Sequence, residues 1–228
     1  MRLAKNHLDV GFSTTDWPAA EQFWTHAVGL DYEEYLKIGA GVRQHRFGVH
    51  GSVVKVNHAR EALPISSTVH RRLRIACNLV EGPTLLHDPE GVEIELVPPG
   101  HDDVVGIEIV NAITDVAATR RFWVDAIGGE EVRPGRYRIG DTLVHCVPTP
   151  GLTPMSSRNG AGMRYLTVQV FEVDEEYARI VGLGFRGDMP PTTLGETARI
   201  AFVRDPDGMF LEVSQRASLT GSLSLPIL

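Results

Sequence analysis

The sequence predicts an α+β protein built from repeated βαβββ units, and two internal repeats carry this prediction. Asp16–Leu30 and Asp115–Gly129 are alike, because each opens with Asp and has Phe-Trp seven residues later, before a Gly. A second pair consists of DPEG from Asp88 and DPDG from Asp205, each with a Glu seven residues after its Asp. The chain is therefore an internal duplication, and repeated units usually bring equivalent side chains to shared surfaces.

The first unit contains all of its predicted elements. Residues 7–14 alternate between apolar and polar side chains, which is typical of a strand. Asp16 is the predicted N-cap of the helix that follows, Pro18 lies in its first turn, and Gly29 ends it. The Phe-Trp pair has helical spacing and is expected in the core. Three short strands with Gly turns complete the unit: Tyr32–Ile38, Val42–Val49 and Ser52–Asn57.

The second unit is abbreviated and the third is complete. Arg72–Leu79 is predicted to be the first strand of the second unit and Val92–Val97 its last, with no room between them for a helix. Pro98-Pro99-Gly100 then separates the two halves of the chain. From Val104 to Val147 the third unit repeats the order of strand, helix and strands.

The fourth unit follows a polar linker at 148–162 and is also complete. Its predicted elements are a strand at Arg164–Val170, a helix at Glu175–Leu183, and strands at Arg199–Arg204 and Met209–Val213. We therefore expect a first domain at 1–100, a second domain at 101–217 and a C-terminal tail at 218–228.

Composition narrows the possible functions. With 228 residues, each half has about 110 residues, enough to bury a core of its own. A net charge of −7 without a basic stripe argues against a nucleic-acid partner. Two cysteines suggest no disulfide framework, and no apolar run approaches the length of a membrane span. We expect a cytoplasmic protein without a membrane partner that acts on a small molecule, with a homodimer as one possible assembly.

The repeated motifs resemble those of the vicinal oxygen chelate superfamily, over about residues 7–216. This superfamily includes glyoxalase I, extradiol dioxygenases, methylmalonyl-CoA epimerase, and bleomycin- and fosfomycin-resistance proteins. The resemblance implies a glyoxalase-like fold, in which paired βαβββ units form two curved mixed sheets around pockets. It also implies a divalent metal, held by side chains of first and last strands, that acts as a Lewis acid on a chelating substrate.

The resemblance assigns possible metal ligands by their distance from the motifs. The first-strand ligand of the family lies seven residues before the Asp that opens the helix, at Asp9 in the first half and Glu108 in the second. The last-strand Glu of the family corresponds to Glu95 and Glu212. All four of these positions are acidic in this chain.

The remaining ligand positions depart from the family pattern. The first-strand position of the fourth unit falls near Thr167, where glyoxalases and dioxygenases have His or Glu. His145 lies about where glyoxalase I has a Glu. The resemblance therefore implies a metal site of Glu108, His145 and Glu212, which suits Fe²⁺, Mn²⁺, Ni²⁺, Co²⁺ or Zn²⁺. A pocket without metal, as in the resistance proteins, is an equally weighted alternative.

The first half offers a second group of possible ligands. His7 lies two residues before Asp9 and so faces the same side of its strand. A cluster of His7, Asp9, His58 and Glu95 is therefore a weaker hypothesis for a metal site.

Three functions remain open from the sequence. We favour a metal-dependent lyase or isomerase, in which Glu108 and Glu212 are catalytic, because a carboxylate can both bind metal and move a proton next to a carbonyl. An extradiol-type dioxygenase would need an atypical site, since neither first-strand position in the second half is His. The third function is metal-free binding of a metabolite or antibiotic. Possible substrate-binding residues lie on strands of the fourth unit: Arg164, Thr167, Gln169 and Arg199.

Overall fold

Strands dominate the structure, a computed structural model that describes residues 1–39, 41–221 and 223. Fifteen strands lie in these ranges: β1 Asp9–Thr14, β2 Asp31–Lys37, β3 Arg43–Val49, β4 Ser52–His58, β5 His70–Ala76, β6 Thr84–His87, β7 Glu93–Val97, β8 Ile107–Ile113, β9 Glu130–Arg133, β10 Arg136–Ile139, β11 Thr142–Pro148, β12 Gly162–Gln169, β13 Arg186–Leu194, β14 Ala198–Arg204 and β15 Phe210–Arg216.

The helices of the described ranges are short. The α-helices are α1 Trp17–Gln22, α2 Val116–Arg120, α3 Val173–Gly182 and α4 Ala217–Thr220. π-Helical turns at Phe23–Ala27 and Arg121–Ala126 continue α1 and α2, and a 3₁₀ turn at His101–Asp103 precedes β8. The predicted tail is described only at residues 218–221 and 223, and its remaining positions, 222 and 224–228, lie outside the described residues.

The two sheets combine the four units in an order that the sequence does not suggest. The larger sheet has the order β13-β14-β15-β12-β1-β4-β3-β2, so the fourth unit joins the first. The smaller sheet has the order β6-β7-β5-β8-β11-β10-β9, so the second unit joins the third. The joining strands run antiparallel, β1 with β12 and β5 with β8. The sheets therefore do not coincide with the predicted sequence domains 1–100 and 101–217, because each sheet draws on both halves.

Local signals in the sequence correspond to local features of the fold. The carboxylates of Asp16 and Asp115 cap α1 and α2 by accepting the N–H of the residue three positions later, at 3.1 and 2.9 Å. Trp24 and Trp123 are almost fully buried, which confirms the Phe-Trp pairs as core residues. The carboxylate of Asp205 accepts two backbone N–H groups of its turn, at 3.0 and 2.7 Å. The repeated motifs are thus caps, core and turns.

Strand β13 was not predicted from the sequence. β13 contains Pro190 and Pro191, which cannot donate hydrogen bonds to a neighbouring strand. It pairs only with β14 and forms one edge of the larger sheet, where prolines are tolerated. Because of these two prolines, the sequence pattern does not indicate a strand here.

A buried histidine lies where the smaller sheet meets the larger one. His70 on β5 is 3% exposed, and its Nδ1 lies 2.8 Å from Oδ1 of Asn111 on β8. The amide of Asn111 also contacts the sulfur of Met209, which comes just before β15 of the larger sheet, at 3.6 Å. Nε2 of His70 is buried and has no hydrogen-bond partner within the described part of the chain. Burial lowers the pKa of His70 from 6.5 to about 4.

Two simple properties complete the description. The cysteines Cys77 and Cys146 are unpaired. Within the described part of the chain, no helix has the length and apolar character needed to cross a membrane.

The buried His70 predicts a loss of stability in mild acid. Because its pKa is lower in the folded state, the unfolded chain binds more protons between pH 6.5 and about 4, and the free energy of unfolding falls as the pH falls through this window. Between pH 7.5 and pH 5.0 the contribution of His70 is about 2 kcal/mol. Urea unfolding at these two pH values should show a smaller difference for His70→Gln than for the wild type. His26→Gln, at an exposed position, is the control and should retain the wild-type difference.

Candidate functional site

A set of four positions occurs in both sheets. In the larger sheet Asp9 is paired with Thr167, and Thr167 is paired with Glu212. Lys55 is paired with Gly11, two residues along β1 from Asp9. Residues two apart on a strand share a face, so these four side chains lie together. We call Asp9, Lys55, Thr167 and Glu212 the Lys55 cluster.

The smaller sheet repeats this register. Arg74 is paired with both Glu108 and Glu95, and His145 is paired with Val110, two residues along β8 from Glu108. We call Arg74, Glu95, Glu108 and His145 the Arg74 cluster. The equivalent pairs of the two clusters are Asp9 and Glu108, Thr167 and Arg74, Glu212 and Glu95, and Lys55 and His145.

The Lys55 cluster is held by a buried ammonium group. Nζ of Lys55 donates to Oγ1 of Thr167 at 2.7 Å and to Oε2 of Glu212 at 2.9 Å. The Thr167 hydroxyl donates to the same Glu212 oxygen at 2.6 Å. Lys55 is 4% exposed, and the second carboxylate, of Asp9, is 3.9 Å from its Nζ and 0% exposed.

Asp9 is fixed by three further donors. Nζ of Lys5 lies 2.5 Å from Oδ1, and the backbone N–H of Val53 donates to the same oxygen at 3.0 Å. Nε2 of Gln169 donates to Oδ2 at 3.3 Å, while its own Oε1 is buried without a partner. Asp9 is therefore a fully bonded carboxylate.

A polar network adjoins the Lys55 cluster. The hydroxyl oxygen of Tyr165 accepts from Nδ2 of Asn57 at 3.1 Å and from Nε2 of Gln44 at 3.3 Å. The ring centroid of Tyr165 is 5.7 Å from Nζ of Lys55. Burial, with the nearby Glu212 carboxylate, raises the pKa of Tyr165, so this phenol stays protonated and keeps an O–H to donate.

The Arg74 cluster is a denser set of ion pairs. The guanidinium of Arg74 contacts Glu95 and Glu108, each at 2.6 Å, and Asp102 at 2.9 Å. Glu108, which is 0% exposed, also accepts from Nε of Arg136 at 2.6 Å. Here too a basic side chain lies between the two acidic positions.

A family comparison agrees with this architecture. Residues 108–213 match the model of the Glyoxalase/Bleomycin resistance protein/Dioxygenase superfamily. The match covers most of the second half of the chain. The resemblance inferred from the repeated motifs is thereby confirmed.

Solved structures share the fold over almost the whole chain. Glyoxalase I from Zea mays has a TM-score of 0.72 at 14% identity, covering 94% of this chain and 92% of that one. A Bacillus subtilis protein proposed to be a dioxygenase has a TM-score of 0.70 at 14% identity, covering 99% and 93%. At such low identity these similarities establish the fold alone, and they confirm the predicted glyoxalase-like class. No curated protein sequence is significantly similar to the chain.

The metal site implied by the superfamily resemblance does not form. Glu108 and His145 lie on the smaller sheet, whereas Glu212 lies on the larger sheet in the Lys55 cluster. The reason is the pairing of the units, since the third unit joins the second and the fourth joins the first. Among the described residues, no group of three or more His, Cys, Asp or Glu could hold a metal ion.

The weaker first-half cluster is also dispersed. His7 lies 3.6 Å from Asp141 at the junction of the sheets, and the His58 ring lies 6.4 Å from that of Trp17. Glu95 belongs to the Arg74 cluster of the smaller sheet, whereas Asp9 belongs to the larger sheet. The four residues do not share one site.

Neither actual cluster suits a divalent metal. Transition metals bind imidazole, thiolate and carboxylate groups, whereas a protonated Lys has only donors and no lone pair. Lys55 is in contact with the acidic positions of one cluster, and Arg74 is in contact with those of the other. The donor sets of this chain therefore do not fit the metal that many members of the superfamily use.

The predicted substrate-binding residues lie in two different parts of the fold. Thr167 and Gln169 lie at the Lys55 cluster, as described above. Arg164 donates to the carbonyls of Ser66 and Ser67, at 3.2 Å in each case, so it fastens a loop. The guanidinium of Arg199 forms a bidentate ion pair with the carboxylate of Asp174 on α3, with hydrogen bonds of 2.6 and 2.7 Å. These two arginines stabilise the fold on the helix side of the sheet.

Sequence reasoning missed Lys55 itself. The signal was present, because SVVKV from Ser52 and TLVHC from Thr142 are equivalent final strands of their hairpins. Aligning them puts Lys55 in the place of His145, which was considered as a ligand.

A surface cleft lies away from the Lys55 cluster. It has a volume of about 620 Å³ and opens at the junction of the sheets, beside His7 and Asp141. The Lys55 cluster does not line this cleft. We identify the cluster as the candidate site from its chemistry rather than from the size of a cleft.

Removing the buried charge of Glu108 should destabilise the protein. Glu108→Gln leaves the guanidinium groups of Arg74 and Arg136 without their shared carboxylate, and breaking a buried pair in this way costs about 3–5 kcal/mol. Urea unfolding measures the loss. Glu93→Gln is the matched control, because Glu93 is 37% exposed and its pair with Arg72 should contribute less than about 1 kcal/mol. Equal effects of the two substitutions would contradict the assignment of Glu108 to the buried network.

Proposed function

We propose that this chain is a metal-independent, small-molecule-binding member of its superfamily, with the Lys55 cluster as its ligand site. The observation that carries the proposal is the Lys55 ammonium, 2.7 Å from Thr167 and 2.9 Å from Glu212. It stands among the positions where the resemblance leads us to expect metal ligands. A tethered cation thus provides the positive charge that a bound metal provides in many relatives.

Electrostatics supports the exclusion of a metal from this cluster. Two buried carboxylates require a compensating charge, which Lys55 already supplies together with Lys5. A metal ion at the same position would have to displace the ammonium group and its two hydrogen bonds. The displaced Lys55 would then be a buried charge beside another cation, which is strongly unfavourable.

Spare hydrogen-bonding capacity supports ligand binding at the cluster. Both bonds to Glu212 fall on Oε2, so its Oε1 has no partner among the described residues. The O–H of Tyr165 has no acceptor there, and Oε1 of Gln169 is buried without a partner. Among these three groups, Oε1 of Gln169 is the buried atom without any partner in the described residues, and such atoms are rare in native proteins.

Metal binding tests the proposal directly. Protein purified without chelator or His tag should contain less than one equivalent of transition metal and should not bind added Mn²⁺, Ni²⁺, Zn²⁺ or anaerobic Fe²⁺ tightly. Lys55→His should gain Ni²⁺ or Zn²⁺ binding, since an imidazole then joins the carboxylates of Asp9 and Glu212. Calorimetric titration and elemental analysis measure both quantities.

Two controls sharpen the metal test. Lys37→His adds an imidazole at an exposed position of β2 and should not create the same affinity. Adding Glu212→Ala to Lys55→His should remove the gained affinity. One equivalent of metal in the wild type, lost in Glu212→Ala but retained in Glu95→Ala, would refute metal independence and restore the metalloenzyme hypothesis.

A second function, proton transfer at carbon, is favoured by the free oxygen of Glu212. Thr167 and Lys55 orient this carboxylate through Oε2, so Oε1 can accept a proton from a carbon next to a carbonyl. The electron pair of the broken C–H bond moves to the carbonyl oxygen, and the resulting enolate is stabilised by the nearby Lys55 ammonium. Return of the proton to carbon completes an isomerisation or an exchange. This is lyase- or isomerase-type chemistry without a metal.

Deuterium exchange tests this second function. In D₂O the wild type should accelerate wash-in at the carbon next to the carbonyl in at least one of a panel of small keto acids and hydroxyketones, followed by NMR. Glu212→Gln should lower that rate by about 100-fold or more, because general-base catalysis contributes about that much. Glu95→Gln, at the equivalent position of the other cluster, should leave it unchanged. No acceleration with any compound would leave ligand binding as the function and would reject proton transfer.

A further inference from the structure

Two arginines occupy equivalent positions beside the two clusters. Arg46 on β3 is paired with Lys55, and Arg136 on β10 is paired with His145. Since Lys55 and His145 are themselves equivalent, Arg46 and Arg136 correspond as well. Both are buried, with 5% and 6% exposure. The protein therefore contains an internal comparison of the same residue in two environments.

Arg136 is fully engaged. Its Nε donates to Glu108 at 2.6 Å, and its Nη2 donates to the main-chain carbonyl of Asp102 at 2.5 Å. Its Nη1 lies 3.5 Å from the carboxylate of Asp103. Each nitrogen of this guanidinium thus faces an oxygen.

Arg46 is under-bonded by comparison. Among the described residues, its one hydrogen bond runs from Nη1 to Oε1 of Gln44 at 3.2 Å, and its buried Nε has no hydrogen-bond partner there. The Glu34 carboxylate approaches Nε to 3.5 Å, but Glu34 is 44% exposed and is bound by Arg216 at 3.0 Å. A buried guanidinium with unused donors is costly, and a planar anionic group can satisfy two of them at once.

The difference arises in the segments that precede the first strands. Before β8 lies the His101–Asp103 turn. The side-chain carboxylate of Asp102 pairs with Arg74 at 2.9 Å, and the main-chain carbonyl of Asp102 accepts a hydrogen bond from Arg136. The turn uses left-handed backbone at Asp102 (φ 50°) and Asp103 (φ 65°), a conformation that non-glycine residues rarely adopt. Before β1, the corresponding segment instead supplies the ammonium of Lys5 to Asp9. The preceding segment thus adds a carboxylate to the Arg74 cluster and an ammonium group to the Lys55 cluster.

The buried charges around the Lys55 cluster are therefore unbalanced towards the positive. Three cationic side chains, Lys5, Arg46 and Lys55, face two buried carboxylates, Asp9 and Glu212. The third carboxylate, of Glu34, is 44% exposed and is shared between Arg46 and Arg216. This local excess is unusual in a chain whose net charge is −7. An anion bound at Arg46 would balance it.

We propose that the ligand of the Lys55 cluster carries a carboxylate or phosphate group and that Arg46 binds this group, in the role that the Asp102 segment fills within the Arg74 cluster. The inference rests on the proposed function, because it names the chemical class of ligand for the same site. The O–H of Tyr165 is a second donor for the anion. Phe202, the cross-strand partner of Glu212, packs edge-on against Tyr165 at 5.7 Å and offers an apolar wall to the rest of an organic anion.

NMR of protein labelled with ¹⁵N at arginine Nε tests the proposal without altering the site. Sodium benzoate, acetate and inorganic phosphate are the probes, with sodium chloride at matched ionic strength as the reference. We expect a saturable shift of the Arg46 Nε–H signal, identified by its absence in Arg46→Lys. The Arg136 signal should not move, because its donors are already engaged. A response to the carboxylates alone or to phosphate alone identifies which group the site accepts.

Affinity measurements on variants complete the test. Arg46→Lys retains the positive charge but loses the planar guanidinium, and Arg46→Gln loses both. Each substitution should therefore weaken binding of the anion that shifts the Arg46 signal by about tenfold or more. Arg43→Gln, at an exposed position of the same strand, should bind as the wild type does. The proposal is overturned if no probe gives a saturable Arg46 shift, or if Arg46 and Arg136 shift in parallel as in chloride.

The two proposals fail separately. Stoichiometric metal in the same wild-type sample would overturn metal independence whatever Arg46 does. A metal-free sample in which none of the anions shifts the Arg46 Nε–H signal would overturn only the proposal of an anionic ligand.

Discussion

Buried carboxylates on the polar faces of two sheets must be neutralised, and this requirement governs much of the structure around both clusters. Each sheet brings two acidic positions together through strand register, Asp9 with Glu212 and Glu108 with Glu95. Two carboxylates removed from water repel each other and lose hydration, so a cation must lie between them. In many relatives of the superfamily that cation is a metal. Here it is a side chain of the protein, Lys55 or Arg74.

Duplication allowed the two clusters to meet this requirement in different ways. The ammonium in the larger sheet comes from the last strand of a hairpin, whereas the guanidinium in the smaller sheet comes from a first strand. The smaller sheet then adds the Asp102 segment and becomes a closed network of ion pairs. The larger sheet lacks such a segment and keeps unused donors at Arg46 and Tyr165. We interpret the first as structural and the second as the site available to a ligand.

A glyoxalase-like fold and a family-model match over residues 108–213 do not decide the chemistry of this chain. The fold supplies positions, and the residues at those positions determine what can bind there. Lys55 has donors only, so it can orient a carboxylate and stabilise negative charge but cannot ligate a metal while protonated. The proposed metal-free ligand binding and the proposed proton transfer by Glu212 rest on the same contacts. Both differ from the metal-dependent reaction that the motifs alone favour.

The sequence by itself determined the repeated units, their helix caps, the Phe-Trp core pairs, the Asp turns and the acidic positions, including Glu212. These features depend on residues close together in the chain, whose periodicity and turn chemistry are visible locally. Only the tertiary structure decided that the first unit joins the fourth, because strand pairing across more than a hundred residues leaves no local signal. That choice separated Glu108 from Glu212 and brought Lys55 to Glu212 instead. The candidate site therefore became visible only when the register between distant strands was known.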